Sequence, residues 1–177
     1  WQSHVWFDDA PVGVQESLST PHRYDLTPFV QPGGTYRLTV RLDNRLLYPL
    51  KESHANSEHT ATHWGGISGG ALLEAVPPLA LERIVCRPNV AERRFDIDVT
   101  LPAEAEHLTL TATITDPETG AVYTNSAGFR GTRGLLSVQL GDAARLWWDD
   151  APFLYDAEFT LHEGETVLDR VQKRVGL

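Results

Sequence analysis

Hydrophobic and polar residues alternate along much of this chain. Tyr36, Leu38, Val40 and Leu42 alternate with Arg37, Thr39, Arg41 and Asp43, the period-two pattern of a strand with one face in a core and the other in water. The pattern returns in Phe95, Ile97, Val99 and Leu101, separated by Asp96, Asp98 and Thr100, and in Leu108, Leu110, Ala112 and Ile114, separated by Thr109, Thr111 and Thr113. Leu136, Val138 and Leu140 form another inward row, and Tyr155, Ala157, Phe159 and Leu161 a further one. With strands expected over 81–86, 121–124 and 167–175, the second half carries about seven strands in about 100 residues, the count and spacing of an immunoglobulin-like or fibronectin-like sandwich. No segment of helical period competes, since 103–107 is too short.

The first half reads as strands too. Residues 4–7 and 12–15 flank Asp8-Asp9-Ala10-Pro11, a hairpin by its turn chemistry. Pro32-Gly33-Gly34 turns the chain into the strand over 36–43, and apolar strand-like segments follow at 46–50 and 71–76. Pro77-Pro78 cannot donate ladder hydrogen bonds and stiffens a connection, so the expected domains are 1–78 and 79–177. The fold class predicted is all-β.

Composition narrows the partners. A chain of 177 residues, 41% hydrophobic and 22% charged, can bury a real core as one large or two small domains. The formal net charge of −9 offers no basic footprint, so neither nucleic acid nor an anionic membrane surface is an expected partner. No apolar run approaches the roughly 20 residues of a membrane span. Cys86 is the single cysteine, expected to be a buried, inert thiol. The chain begins at Trp1 and contains no methionine, which points to a processed product or an excised fragment.

Chemistry concentrates between residues 45 and 74. His54, Asn56, Glu58, His59, Thr60, Thr62 and His63 run into Trp64 and then Gly65-Gly66-Ile67-Ser68-Gly69-Gly70. Folding alone gives a loop no reason to gather so many hydrogen-bonding groups beside an indole, whereas a sugar offers hydroxyl edges to polar groups and C–H faces to an aromatic ring. His54, His59 and His63 also admit zinc binding, or plain loop polarity, but the glycine-rich, strand-flanked context argues against the helix that would set His59 and His63 on one face. No cofactor or metal is expected. Trp6, Trp147 and Trp148 read mainly as packing residues, with Trp147-Trp148 a sugar platform if exposed in a free-standing module.

These residues carry a resemblance. Val-Arg-Leu-Asp-Asn at 40–44, Thr-x-x-x-Trp-Gly-Gly-Ile-x-Gly at 60–69 and Leu-x-Ala-x-Pro-Pro at 73–78 resemble glycoside hydrolase family 2. The hairpin at residue 5 is similar to the family's, with Asp8-Asp9 in place of Asn-Gly, and so is the segment 24–34. Leu146-Trp147-Trp148 with Pro152-x-Leu154-Tyr155, and Lys173-Arg174-Val175-Gly176-Leu177, are similar to the end of the family's immunoglobulin-like domain and to the exit toward its catalytic barrel.

The resemblance implies two β-sandwich domains, a partial jelly-roll of the galactose-binding kind followed by an immunoglobulin-like sandwich. It also implies β-galactosidase-like chemistry in the parent enzyme, with a carbohydrate, a β-glycoside, as the partner of the intact enzyme and a missing catalytic barrel as the partner of this chain. Retaining glycosidases set two carboxylates about 5–5.5 Å apart across the sugar, and in the family both stand on barrel strands, so no catalytic residue is expected here. Asp8-Asp9, Asp149-Asp150 and Glu104 with Glu106 are read as turn-forming or solvated. By position in the family pattern, Asn56, His59, His63 and Trp64 are the substrate-binding candidates. The jelly-roll is expected to borrow strands from another chain segment or a second protomer, making a homo-oligomer possible. A stand-alone carbohydrate-binding or adhesion module is the alternative, since sandwiches host many functions.

Overall fold

A computed structural model describes residues 1–17, 19–45 and 65–177 of the chain. They fall into two compact units, Trp1–Leu73 and Glu74–Leu177.

The first unit holds a three-stranded antiparallel sheet in the order β2-β1-β3, with β1 Gln2–Phe7, β2 Ala10–Glu16 and β3 Leu38–Asp43. The β1–β2 turn rests on Asp8, whose φ of 49° is a left-handed conformation that aspartate tolerates better than most residues. Asp8 also ties the turn to the approach of β3: its N–H donates to the Arg37 carbonyl at 2.7 Å, and its Oδ1 accepts from the Arg37 N–H at 2.8 Å.

Ser3, Val5 and Phe7 form the buried face of β1. Phe7 meets Tyr36 at 4.8 Å and Phe29, in a 3-10 turn over Thr27–Phe29, at 6.1 Å between ring centroids. The Tyr24 hydroxyl donates to the Ser3 carbonyl at 2.7 Å. Leu42, Val40 and Leu38 lie opposite Ser3, Val5 and Phe7 and so share that face, yet they stay partly exposed.

The strand expected at 71–76 does not form. Leu72, Leu73 and Val76 are exposed and unpaired with any strand among the described residues. Ala-Leu-Leu-Glu-Ala-Val lacks the period-two alternation that would give it a core face, and the prolines that follow cannot extend a ladder.

The second unit contains β4 Arg83–Asn89, β5 Arg94–Thr100, β6 Thr109–Thr115, β7 Val122–Arg130, β8 Arg133–Gln139, β9 Tyr155–Glu163 and β10 Thr166–Val175. The order is β10-β9-β6-β7-β8-β5-β4, antiparallel throughout. β7 pairs with β6 over Val122 to Gly128, then meets β8 only through Phe129–Gly134 and Arg130–Arg133. At that corner the ribbon folds into two layers, β10-β9-β6-β7 and β8-β5-β4, an immunoglobulin-like sandwich. The inward rows of β5, β6, β8 and β9 read from the sequence make its core. β7 runs well past the expected 121–124, because pairing with β6 holds Asn125 to Gly128, where alternation fails.

Tyr155 locks one end of this sandwich. Its hydroxyl accepts from the Arg145 N–H at 2.6 Å and lies 3.2 Å from the Arg145 carbonyl, to which it donates. A buried tyrosine at the start of β9 thereby satisfies backbone groups of the preceding connection, the arrangement called a tyrosine corner in such sandwiches. Phe153 packs edge-on against Tyr155 at 4.9 Å, and the Arg145 guanidinium lies 3.7 Å from the Phe153 ring.

Candidate functional site

The substrate-binding candidates Asn56, His59, His63 and Trp64 lie outside the described residues, as do His54, Glu58, Thr60 and Thr62. Their frame is described. At one end, the Arg45 guanidinium clasps the Asp43 carboxylate, with Nε 2.9 and 3.1 Å from its two oxygens and Nη2 at 2.5 Å. These bonds hold the Asp43 carboxyl well below the usual carboxylate range. At the other end, a β-carbon on Gly65 would overlap the Asn44 side-chain amide, so glycine permits the close approach. Asn44 and Gly65 therefore meet just past the end of β3.

The outward face of the sheet adjoins this frame. Gln2, His4 and Trp6 of β1 stand opposite Asp43, Arg41 and Thr39 of β3. The His4 and Trp6 rings stack at 6.1 Å and 11°, while Arg41 donates to His4 Nε2 at 3.1 Å and sits 5.9 Å from the Trp6 ring. Cation and indole at this spacing attract. Trp6 thus lies on the outward, polar face, half-buried. Its phase signals this, since Val5 and Phe7 take the inward positions.

The carboxylates pair with backbone and cations. Asp9 is fully solvated beside Arg37, Asp149 accepts from the Asp150 N–H at 3.0 Å, and Glu104 and Glu106 are exposed. Asp96 and Asp98 do share a surface cleft of about 240 Å³ with Arg87, Leu135 and Ser137. Arg133 grips Asp98 at 2.6 and 3.2 Å, with Arg87 at 3.5 Å; Ser137 donates to Asp96 at 2.5 Å, and Arg94 at 2.8 Å. Hydrogen bonds from Arg133 and from Ser137 hold the respective carboxyls below their ordinary value. Neither keeps a proton near neutral pH, which the acid of a retaining pair must do.

Burial pushes the Cys86 thiol up to about 12, which keeps it from acting as a thiolate nucleophile. Among the described residues no three or more His, Cys, Asp or Glu side chains could hold a metal ion, and no helix is long and apolar enough to cross a membrane.

A second cleft, of about 330 Å³, is lined by Pro88, Val90, Leu146, Trp147, Trp148, Gly176 and Leu177. Both tryptophans are exposed there. The Trp147 backbone N–H donates to the Leu177 carbonyl at 2.7 Å, tying the backbone of residue 147 to the end of the chain after β10.

The described residues define an all-β chain, a three-stranded sheet followed by an immunoglobulin-like sandwich. The family model described as glycosyl hydrolases family 2 matches residues 79–177, and the chain belongs to that family. It is 24% identical over 164 residues to the β-galactosidase large subunit of Leuconostoc lactis, across 92% of this chain and 25% of that protein. Among solved structures, a β-glucuronidase from glycoside hydrolase family 2 superposes with a TM-score of 0.68 at 20% identity, over 99% of this chain and 21% of that one. The Ruminococcus gnavus β-glucuronidase gives 0.67 at 17%, over 99% and 30%. The chain thus spans about a quarter of the length of the curated relative it matches.

Proposed function

We propose that this chain is the non-catalytic β-sandwich region of a family 2 glycosidase, supporting and helping to shape an active site carried elsewhere in the enzyme. The observation that carries the reading is the family match over residues 79–177, which coincides with a complete seven-stranded sandwich. The ionised state of Asp96 and Asp98, each hydrogen-bonded to an arginine, supports it. In this reading residues 1–78 form the partial jelly-roll and 79–177 the immunoglobulin-like domain. The parent enzyme hydrolyses a β-glycoside, in β-galactosidase-like fashion. Asn56, His59, His63 and Trp64 are the residues that contact the sugar in this reading; Asn44 and Gly65, on either side of them in the chain, meet just past the end of β3.

The test pairs two measurements. The chain alone, assayed with chromogenic β-galactosides, β-glucuronides, β-mannosides and β-glucosides, is expected to release no product, and the full-length polypeptide containing it to hydrolyse at least one. In the full-length enzyme, His63→Ala is expected to raise KM with the fold unchanged. Hydrolysis by the chain alone, or full-length inactivity on the whole panel, overturns the reading. Saturable sugar binding by the chain alone, measured by calorimetry, assigns it instead to a stand-alone recognition module.

A further inference from the structure

The strand edges of this protein are not alike. β10 carries Asp169, Arg170, Lys173 and Arg174 and a bulge between Val167 and Asp169; β4 carries Arg83, Arg87 and Pro88, β2 carries Pro11 and Glu16, and β3 carries Arg41 and Asp43. Charges, prolines and bulges keep an exposed edge from pairing with another chain. From Val122 to Phe129, β7 has none of them. It meets β6 on one side and β8 only at Phe129 and Arg130, so most of its second edge has no strand beside it among the described residues. We propose that this edge pairs antiparallel with β7 of a second copy of the chain, about a twofold axis at Tyr123.

Hydrogen bonds identify the residues that face the edge. The Ser126 N–H donates to Asn125 Oδ1 at 2.9 Å, so it points away from β6. Alternation along an antiparallel pair sends the backbone groups of Val122 and Thr124 the same way. The side chains agree: Thr124 donates its hydroxyl to Thr113 at 3.2 Å, and the Ser126 and Thr111 hydroxyls lie 2.8 Å apart, the close approach of opposed residues that exchange no backbone bonds. Asn125 also donates from Nδ2 to the Ser137 carbonyl at 2.7 Å, covering the neighbouring edge of β8 and the Ser126 end of this one. Val122 and Thr124 remain open, each with an N–H and a carbonyl that no backbone outside the strand meets among the described residues.

The chemistry of the edge selects the occupant. With Val122 opposite Thr124 of the second copy, and Thr124 opposite its Val122, four backbone bonds form about the axis. No charge lies on the segment, so none meets its own copy, whereas the same operation on β10 would set Lys173 and two arginines against themselves. Val122 is 60% exposed and gains the threonine methyl as a neighbour. A foreign extended peptide is chosen by side-chain pockets beside an edge, and neither cleft of this unit touches Val122 to Ser126. A second copy needs no pocket, because symmetry supplies the match. Two residues from each chain make a small interface and hence a weak association.

Sedimentation velocity of the 177-residue chain over a concentration series should show a monomer–dimer equilibrium, with hydrogen exchange at the Val122 and Thr124 amides slowing as the dimer fills. Val122→Lys with Thr124→Lys sets like charges opposite each other and should raise the dissociation constant at least about tenfold. Both side chains are exposed, so the melting temperature of the monomer should not change. Val122→Cys with Thr124→Cys, in a Cys86→Ser background, should on oxidation join residue 122 of one copy to residue 124 of the other, since α-carbons of such a bonded pair stand about 5.5 Å apart. A chain that stays monomeric up to about 1 mM overturns the proposal. So does a dimer that survives the lysines but is lost in Val40→Asp, which would belong to the open face of β3. Cross-links from 122 to 122 and from 124 to 124 overturn the twofold at Tyr123. If the lysine variant fails to fold, the cross-link and amide exchange in the unaltered chain decide.

Discussion

Strands β3 and β5 obey the same alternation and end in different states. In β5 the inward Phe95, Ile97 and Val99 are 0%, 2% and 0% exposed; in β3 the corresponding Leu38, Val40 and Leu42 are 52%, 40% and 36% exposed. Both rows sit on a sheet face beside buried neighbours, since Val40 stands opposite Val5 and Ile97 opposite Leu136. The difference lies in what covers the face. β5 belongs to a sandwich whose second layer is present, while the described part of Trp1–Leu73 offers a single three-stranded sheet with Phe29 and Tyr36 at one end. Alternation in a sequence therefore specifies which side of a strand wants cover, and leaves open whether the same polypeptide supplies it.

The largest expected effect comes from the completed sandwich. Phe159 is fully buried between the layers, so Phe159→Ala should destabilise Glu74–Leu177 by about 3–5 kcal/mol in urea unfolding. A cost under about 1 kcal/mol would show that the two layers do not close over it. Tyr155→Phe keeps the ring and removes only the hydroxyl, leaving the Arg145 N–H and carbonyl without it. A loss of about 1–3 kcal/mol is expected, with protection of the Arg145 amide against hydrogen exchange lost in parallel. Retained protection would mean that the hydroxyl does not hold this connection.

The contrast also separates what the sequence made legible from what it did not. The seven strands after residue 79 were readable because inward and outward positions alternate without interruption in β5, β6 and β9. The bond from Tyr155 to Arg145 was not, because a period-two pattern assigns a side chain to a core without naming the backbone its hydroxyl meets. Leu72 and Leu73 misled in the other direction, hydrophobicity suggesting a strand where no partner exists among the described residues. At the candidate site, residue types suggested sugar-like chemistry at positions outside the described residues, and the frame of Asp43, Asn44, Arg45 and Gly65 was not legible. That frame depends on a glycine packing against an asparagine, a contact across 21 positions that no local pattern records.

Electrostatics acts in both units at a smaller scale. Asp98 has a side chain 12% exposed and lies between Arg133 and Arg87 on the outward face of β5. Its carboxyl is held below the ordinary value of 3.8, chiefly by hydrogen bonds from Arg133. A carboxyl depressed in the folded state binds fewer protons there than in the unfolded chain. Its stabilisation is therefore complete above 3.8 and lost as pH falls through the lower folded value. Asp98→Asn should cost Glu74–Leu177 about 1–2 kcal/mol at neutral pH and flatten that unit's decline of stability below 3.8, with Asp96 and Asp116 contributing further slope there and Asp25 and Asp43 in the first unit. An unchanged acid profile would remove Asp98 from that account.

Val40→Ala is expected to have the smallest effect in the chain alone and to be the most discriminating across contexts. At 40% exposure the valine has given up only part of its contact with water, so truncation should cost below about 1 kcal/mol in the isolated chain, against about 1–2 kcal/mol for Val99→Ala in β5. If other polypeptide completes the first sandwich in the full-length enzyme, the same substitution there should cost about as much as Val99→Ala, because the valine would then be buried on both sides. Equal small costs in both contexts would mean that the face of β3 stays open. A large cost already in the isolated chain, rising with protein concentration, would mean that a second copy covers it.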